Sequence, residues 1–89
     1  MLIKVTTAKH LKEYKLELSF NDGLRRTIDL KKHLAGPIYQ PLKNVEYFKS
    51  FTLNRWTIEW ENGADFAPEF LHKLALEQNP KSDKQLTSK

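Results

Sequence analysis

Two stretches of this chain alternate apolar and polar residues and then break on a polar triplet that ends in glycine. In the first, Tyr14, Leu16, Leu18 and Phe20 share one parity and Lys15, Glu17 and Ser19 the other; Asn21-Asp22-Gly23 follows, and then Leu24 to Leu30. Strict alternation marks a half-buried strand. The register can be tested by parity, because a slip of one residue moves every side chain to the other face. A two-residue Asp-Gly loop would pair Asn21 with Leu24 and set Leu24 and Ile28 on the face of Glu17 and Ser19. A three-residue loop pairs Phe20 with Leu24 and Leu16 with Ile28, which keeps the apolar residues together. The three-residue loop is therefore expected, with Gly23 in the left-handed position of a bulged turn.

The second stretch repeats this logic. Trp56, Ile58 and Trp60 share one parity, and Thr57, Glu59 and Glu61 the other. With Glu61-Asn62-Gly63 as a three-residue loop, Trp60 pairs with Ala64 and Ile58 with Phe66, and Asp65 falls beside Glu59 on the outer face. A two-residue loop would bury the Asp65 carboxylate beside Trp60, which is costly without a partner. Trp56 and Trp60 are both expected in the core, and Gly63 in the left-handed position. Pro68 suits the first position of a helix, and Ala67 before it is driven from the α region. Phe70, Leu71, Leu74 and Ala75 form that helix's inner face, and it is expected to end near Leu76 or Glu77.

The segment Leu2 to His10 reads as a strand. Leu30 to Gly36 reads as one helical turn stopped by Gly36 and Pro37, and Val45 to Phe51 as a short helix running into a strand at Phe51–Leu53. The expected fold is α+β: a small antiparallel sheet of about five or six short strands with a C-terminal helix and one or two short helical turns. One domain is expected over residues 1–76. Residues 77–89 hold a single apolar side chain, Leu86, and are expected to form a disordered basic and polar tail, since so little burial cannot offset the entropy of ordering.

Composition enters mainly by exclusion. The chain has no cysteine, which removes disulfides, thiolate metal sites and a cysteine nucleophile, and fits a reducing cytoplasm. Neither a signal-peptide-like apolar run nor a membrane-spanning one is present, so a cytoplasmic protein is expected. His10, His33 and His72 are far apart in sequence and fit no zinc spacing; each is expected at the surface or an edge. The serines lack a nucleophile-elbow context, and the three glycines read as turns rather than a phosphate loop. No cofactor or metal is expected.

Charge is unevenly spread. The chain carries +4, yet residues 59–69 hold Glu59, Glu61, Asp65 and Glu69 with no Lys or Arg, so this stretch is −4 and the remainder +8. Neighbouring carboxylates can do acid–base work or hold a hard cation. These four are expected on a solvated face around a turn and a helix start, without the spacing of a calcium loop, so a solvated face or a docking patch is the expectation. The opposite charge gathers at Arg25, Arg26, Lys31, Lys32 and His33, with Lys15 on the neighbouring strand, a density that could neutralise phosphates. Asp22 and Asp29 dilute it, and Arg26 shares the parity of Leu24 and Ile28, which puts its stem at the core margin. Neither a helix-turn-helix signature nor an aromatic stripe interleaved with the cations accompanies it.

The order of these pieces resembles a known family. Phe20, Asp22 and Gly23 end a strand; Ile28, Asp29 and Leu30 follow; then come Leu42 and Phe48; Trp60, Asn62, Gly63, Asp65, Phe66, Pro68, Glu69 and Leu71 close the pattern. Over about residues 1–75 this is similar to the small bacterial family called domain of unknown function 2442, and the closing motif is its most specific part. His33 to Gln40 departs from the commonest form. The resemblance implies a small α+β domain without an established enzymatic activity, often the partner of a small toxin-like protein (domain of unknown function family 4160). It supplies no catalytic residues. The expected function is thus a non-enzymatic, antitoxin-like or adaptor module that docks a small partner protein, with Glu59, Glu61, Asp65 and Glu69 as one candidate surface. The alternative is a nucleic-acid-binding accessory or regulatory protein that uses Lys15, Arg25, Arg26, Lys31 and Lys32.

Overall fold

The computed structural model describes residues 2–78. Strands β1 (Val5–Lys12), β2 (Lys15–Phe20) and β3 (Arg25–Asp29) form an antiparallel sheet in the order β1-β2-β3. The β2–β3 register is the expected one, with Leu16 opposite Ile28 and Leu18 opposite Arg26. Phe20 donates its N–H to the Leu24 carbonyl (2.8 Å), and Gly23 donates to the Phe20 carbonyl (3.0 Å) at φ +91°. The Asp22 carboxylate accepts the Leu24 N–H at 3.0 Å, so the loop is closed by a side chain as well as by backbone. β1 runs past His10 to Lys12 and returns through a turn in which Glu13 takes φ +49°.

A second ladder pairs β4 (Thr52–Leu53) with β5 (Ile58–Glu59), and an isolated bridge joins Glu59 to Asp65. The expectation of one sheet with about five or six strands is therefore corrected: five strands divide into sheets of three and two. The division follows from what β1 meets on its second edge. Val5 donates its N–H to the carbonyl of Trp56, at 2.9 Å, and Trp56 lies in a bend rather than in a strand.

The chain between the sheets is helical in short pieces. A 3-10 turn covers Lys31–His33, and a second 3-10 helix covers Pro37–Lys43. Gly36, at φ +102°, thus leads into a helical segment that the sequence reading lacked. Pro37 suits its first position, whereas Pro41 lies inside it and lacks the N–H that a continuous α ladder requires there. Helix α1 (Val45–Phe48) follows, with the Asn44 side chain accepting the Glu46 N–H at 2.9 Å, and leads into β4 as expected.

Helix α2 (Pro68–Glu77) starts at the expected proline and buries Leu71, Leu74 and Ala75, with Phe70 half-buried. These join Leu16, Leu18, Phe20 and Ile28 from the sheet in one core that also holds Leu42, Phe48, Trp60 and Phe66. Trp60 is 1% exposed and donates its indole N–H to the Phe48 carbonyl at 2.7 Å. Its ring meets Phe48 and Phe66 at centroid distances of 5.6 and 5.9 Å.

Order continues one residue past the helix. The Gln78 side chain accepts the Asp29 N–H (2.8 Å) and donates to the Asp29 carbonyl (3.1 Å), pairing with the edge of β3 as a strand would. Of the tail expected to be disordered, Glu77 therefore closes α2 and Gln78 is pinned; residues 79–89 lie outside the described residues.

Trp56 is the second correction. It is 45% exposed, while Thr57, assigned by parity to the outer face, is 4% exposed. Asn54 is the cause. Its Oδ1 accepts the N–H groups of Trp56 (2.7 Å) and Thr57 (2.8 Å), and its own N–H donates to the Thr57 carbonyl (2.8 Å). Such an Asx turn replaces the extended conformation on which parity depends. The alternation holds only from Ile58 onward, so the indole at 56 swings outward and Thr57 turns in, its Oγ1 donating to the Phe66 carbonyl at 2.6 Å.

Candidate docking groove

The exposed Trp56 lines a groove of about 360 Å³ between the N-terminal segment, the 54–57 bend and the start of α2. Local chemistry fixes each wall. Leu2 and Ile3 form one, held by Asn21, whose amide donates to the Leu2 carbonyl (2.7 Å) and accepts the Lys4 N–H (3.0 Å). Asn54 and Trp56 form the second, tied down by the Asx turn and by the Val5 bond. Thr57 and Phe66 meet through their hydrogen bond at the base. Ala67 and Pro68 form the third wall, where the proline starts α2, and Asp65 and Glu69 line the groove beside them.

Of the four carboxylates predicted from the sequence, Glu59, Glu61 and Asp65 stand where parity placed them, and Glu69 stands at the helix start. Glu61, Asp65 and Glu69 are exposed, and Glu59 is partly so. The Glu61-Asn62-Gly63 loop has the expected closure, with Trp60 donating to Ala64 and Gly63 donating to Trp60, both at 2.9 Å. Because Trp60 and Ala64 are hydrogen-bonded, the adjacent Glu59–Asp65 pair belongs to the non-hydrogen-bonded class, in which facing side chains lie closest. Two acidic residues thus sit opposite each other across the hairpin. The Asn54 amide donates to Glu59 Oε1. Asp65 and Glu69 share the Trp56 groove, whereas Glu59 and Glu61 line a neighbouring concavity with Ser50, Thr52 and Trp60. Among the described residues, no group of three or more His, Asp or Glu side chains is placed to hold a metal ion.

The basic residues fall into two groups at opposite ends of one hairpin. Arg25 pairs with Ser19 at one end of the β2–β3 ladder and Lys15 with Asp29 at the other, about 13 Å apart at a rise of roughly 3.3 Å per residue. Lys31 and Lys32 follow at the Asp29 end, exposed on their 3-10 turn. Arg26 is half-buried, as expected at a core margin; it donates from Nη1 to the Arg25 carbonyl (2.8 Å), and its Nε has no hydrogen-bond partner among the described residues.

Histidine was expected only at surfaces and edges, and His72 does more. Its Nε2 lies 2.8 Å from Asp22 Oδ2, and its ring packs edge-on against Phe20 at 5.0 Å, so it joins α2 to the β2–β3 turn. The Leu24 N–H bond, and after it His72, hold the Asp22 carboxyl below the usual carboxylate range. The groove itself is not legible in the residues because one wall is held by the Asn21 side chain bonding to backbone far along the chain, and another by the Asn54 side chain turning the backbone two and three residues on. The one available signal was Asn54, two residues before an exposed-or-buried tryptophan, in the position of an Asx turn.

Among the described residues, no helix is long and apolar enough to cross a membrane. A family model described as "Protein of unknown function (DUF2442)" matches residues 5–77. No curated protein and no solved structure matches the chain.

Proposed function

Because the chain belongs to the DUF2442 family of proteins of unknown function, which brings no assigned chemistry with it, we propose from the geometry that it is a non-enzymatic docking module, antitoxin-like or adaptor in role, whose acidic face receives a small basic partner protein. The observation that carries this reading is the facing pair Glu59 and Asp65. Like charges directly opposite on neighbouring strands destabilise a fold. Here that cost is kept at an exposed hairpin of a chain otherwise rich in cations, and Glu61 and Glu69 extend the same sign on either side. A cationic partner would relieve the repulsion on binding, and its approach would be electrostatically steered. The reading also follows the family resemblance, in which members accompany a small toxin-like protein.

The test is capture of a partner from the native host by the tagged chain, compared with the variant Glu61→Lys/Asp65→Lys. Both positions are exposed, so the variant is expected to fold. Loss of the captured protein, or at least a ~10-fold rise in Kd (about 1.4 kcal/mol), is expected. Retention at unchanged affinity, or failure of any protein to co-purify, overturns the proposal.

A further inference from the structure

Resting on the docking reading, we infer that the Trp56 groove is the specificity pocket of that surface and takes an arginine flanked by apolar residues from the partner polypeptide, its guanidinium over the indole and between the carboxylates of Asp65 and Glu69. Three features of the groove fit this occupant together. Trp56, 45% exposed, presents the best aromatic partner for a cation. Asp65 and Glu69 line the same groove and supply the charge that a guanidinium pairs with. Leu2, 69% exposed, lies on the opposite wall with Ile3 and offers apolar surface to the residues beside the arginine.

The start of α2 also lies here, and a helix N-terminus favours anions. The magnitudes decide against an anion: the helix end counts for roughly half a positive charge, against two full carboxylates. Arginine fits better than lysine because a planar guanidinium can stack on an indole and present its edge to carboxylates at the same time. The walls are held by side chain-to-backbone bonds from Asn21 and Asn54, so little ordering is required on binding, which is how a small pocket gains affinity.

The two tryptophans allow a direct test by amide and indole NMR. Trp60 is buried with its indole N–H bonded to Phe48, so its resonance serves as an internal control, and Trp56→Phe assigns the other signal. Acetyl-Leu-Arg-Leu amide, titrated into the millimolar range, is expected to shift the Trp56 indole and the backbone amides of Asp65 and Glu69 while Trp60 stays fixed. Acetyl-Leu-Glu-Leu amide is expected to shift none of them. In Asp65→Asn/Glu69→Gln the arginine-dependent shift is expected to vanish with Trp60 unchanged. A Trp56 indole that the arginine peptide leaves unmoved, an equal response to the glutamate peptide, or a shift that survives in the double variant overturns the groove assignment. If the arginine peptide moves only the amides around Glu59 and Glu61, the groove assignment fails while the acidic docking surface stands. The partner-capture experiment decides the docking surface separately.

Discussion

The two tryptophans have opposite environments although they share sequence parity, and their substitutions should differ accordingly. Trp60 is 1% exposed and keeps its indole N–H bonded. Trp60→Ala is expected to cost about 3–5 kcal/mol, read as a fall in the urea midpoint. Trp56→Ala should cost clearly less than Trp60→Ala by the same measurement, since 45% of its surface already meets solvent. Thr57 is the hinge between them. Thr57→Val keeps the shape but removes the hydroxyl that satisfies the Phe66 carbonyl, and about 1–3 kcal/mol should be lost because that buried acceptor goes unmet. If Thr57→Val proves neutral in chemical denaturation, the inward turn of Thr57 is packing alone and the hydrogen bond contributes nothing.

At the scale of elements, α2 is fastened at both ends. Pro68 and the Ala67 carbonyl start it, His72 ties its middle to Asp22, and Gln78 beyond its last turn pairs with the β3 edge. The Asp22 link is pH-dependent with a definite sign. Its carboxyl is held below the usual range in the folded chain, so the stabilisation is fully present above the unfolded value near pH 4. It is lost as pH falls further, through the folded value. Asp22→Asn keeps an oxygen that can accept the Leu24 N–H but cannot ionise. Its urea midpoint should therefore fall less than that of the parent protein between neutral pH and about pH 3. Equal acid sensitivity of the two would show that Asp22 does not contribute to the acid limb. The Gln78 contact has a second consequence, because it occupies backbone groups on the outer edge of β3 where another strand could otherwise add.

For the whole molecule, the arrangement of charge matters more than its total. The net charge is +4, yet Arg25 and Arg26 lie at one end of a hairpin and Lys15, Lys31 and Lys32 at the other, while Glu59, Glu61, Asp65 and Glu69 gather around a second hairpin and a helix start. On the proposed docking reading, binding of a basic partner to that acidic face should weaken steadily between about 0.1 and 1 M salt, as the Debye length shrinks from about 10 to about 3 Å. Calorimetry against the captured partner measures this directly. An affinity indifferent to salt over that range would assign the binding to apolar contact alone.

Much of this was legible in the residues. Alternation and the position of one glycine set both three-residue hairpin loops, because a slip would have exchanged core for solvent; Phe20 with Leu24 and Trp60 with Ala64 pair as that argument requires. Pro68 gave the helix start and with it the place of Glu69, and the outward placement of Glu59, Glu61 and Asp65 followed from parity. The family could be named from the closing motif of that hairpin. The division into two sheets, the helix at Pro37–Lys43 and the exposure of Trp56 could not be read this way. Parity is a property of extended backbone, and it ends wherever a side chain bonds to backbone and turns the chain, as Asn54 does at Trp56 and Thr57. The groove depends on bonds across long sequence separations, from the Asn21 side chain to Leu2 and from the Val5 backbone to that of Trp56. The sequence by itself determined which residues face inward on the first hairpin and, from Ile58 onward, on the second. Only the tertiary structure decided which outward-facing residues share a surface, because that depends on packing between hairpins and not on periodicity within one.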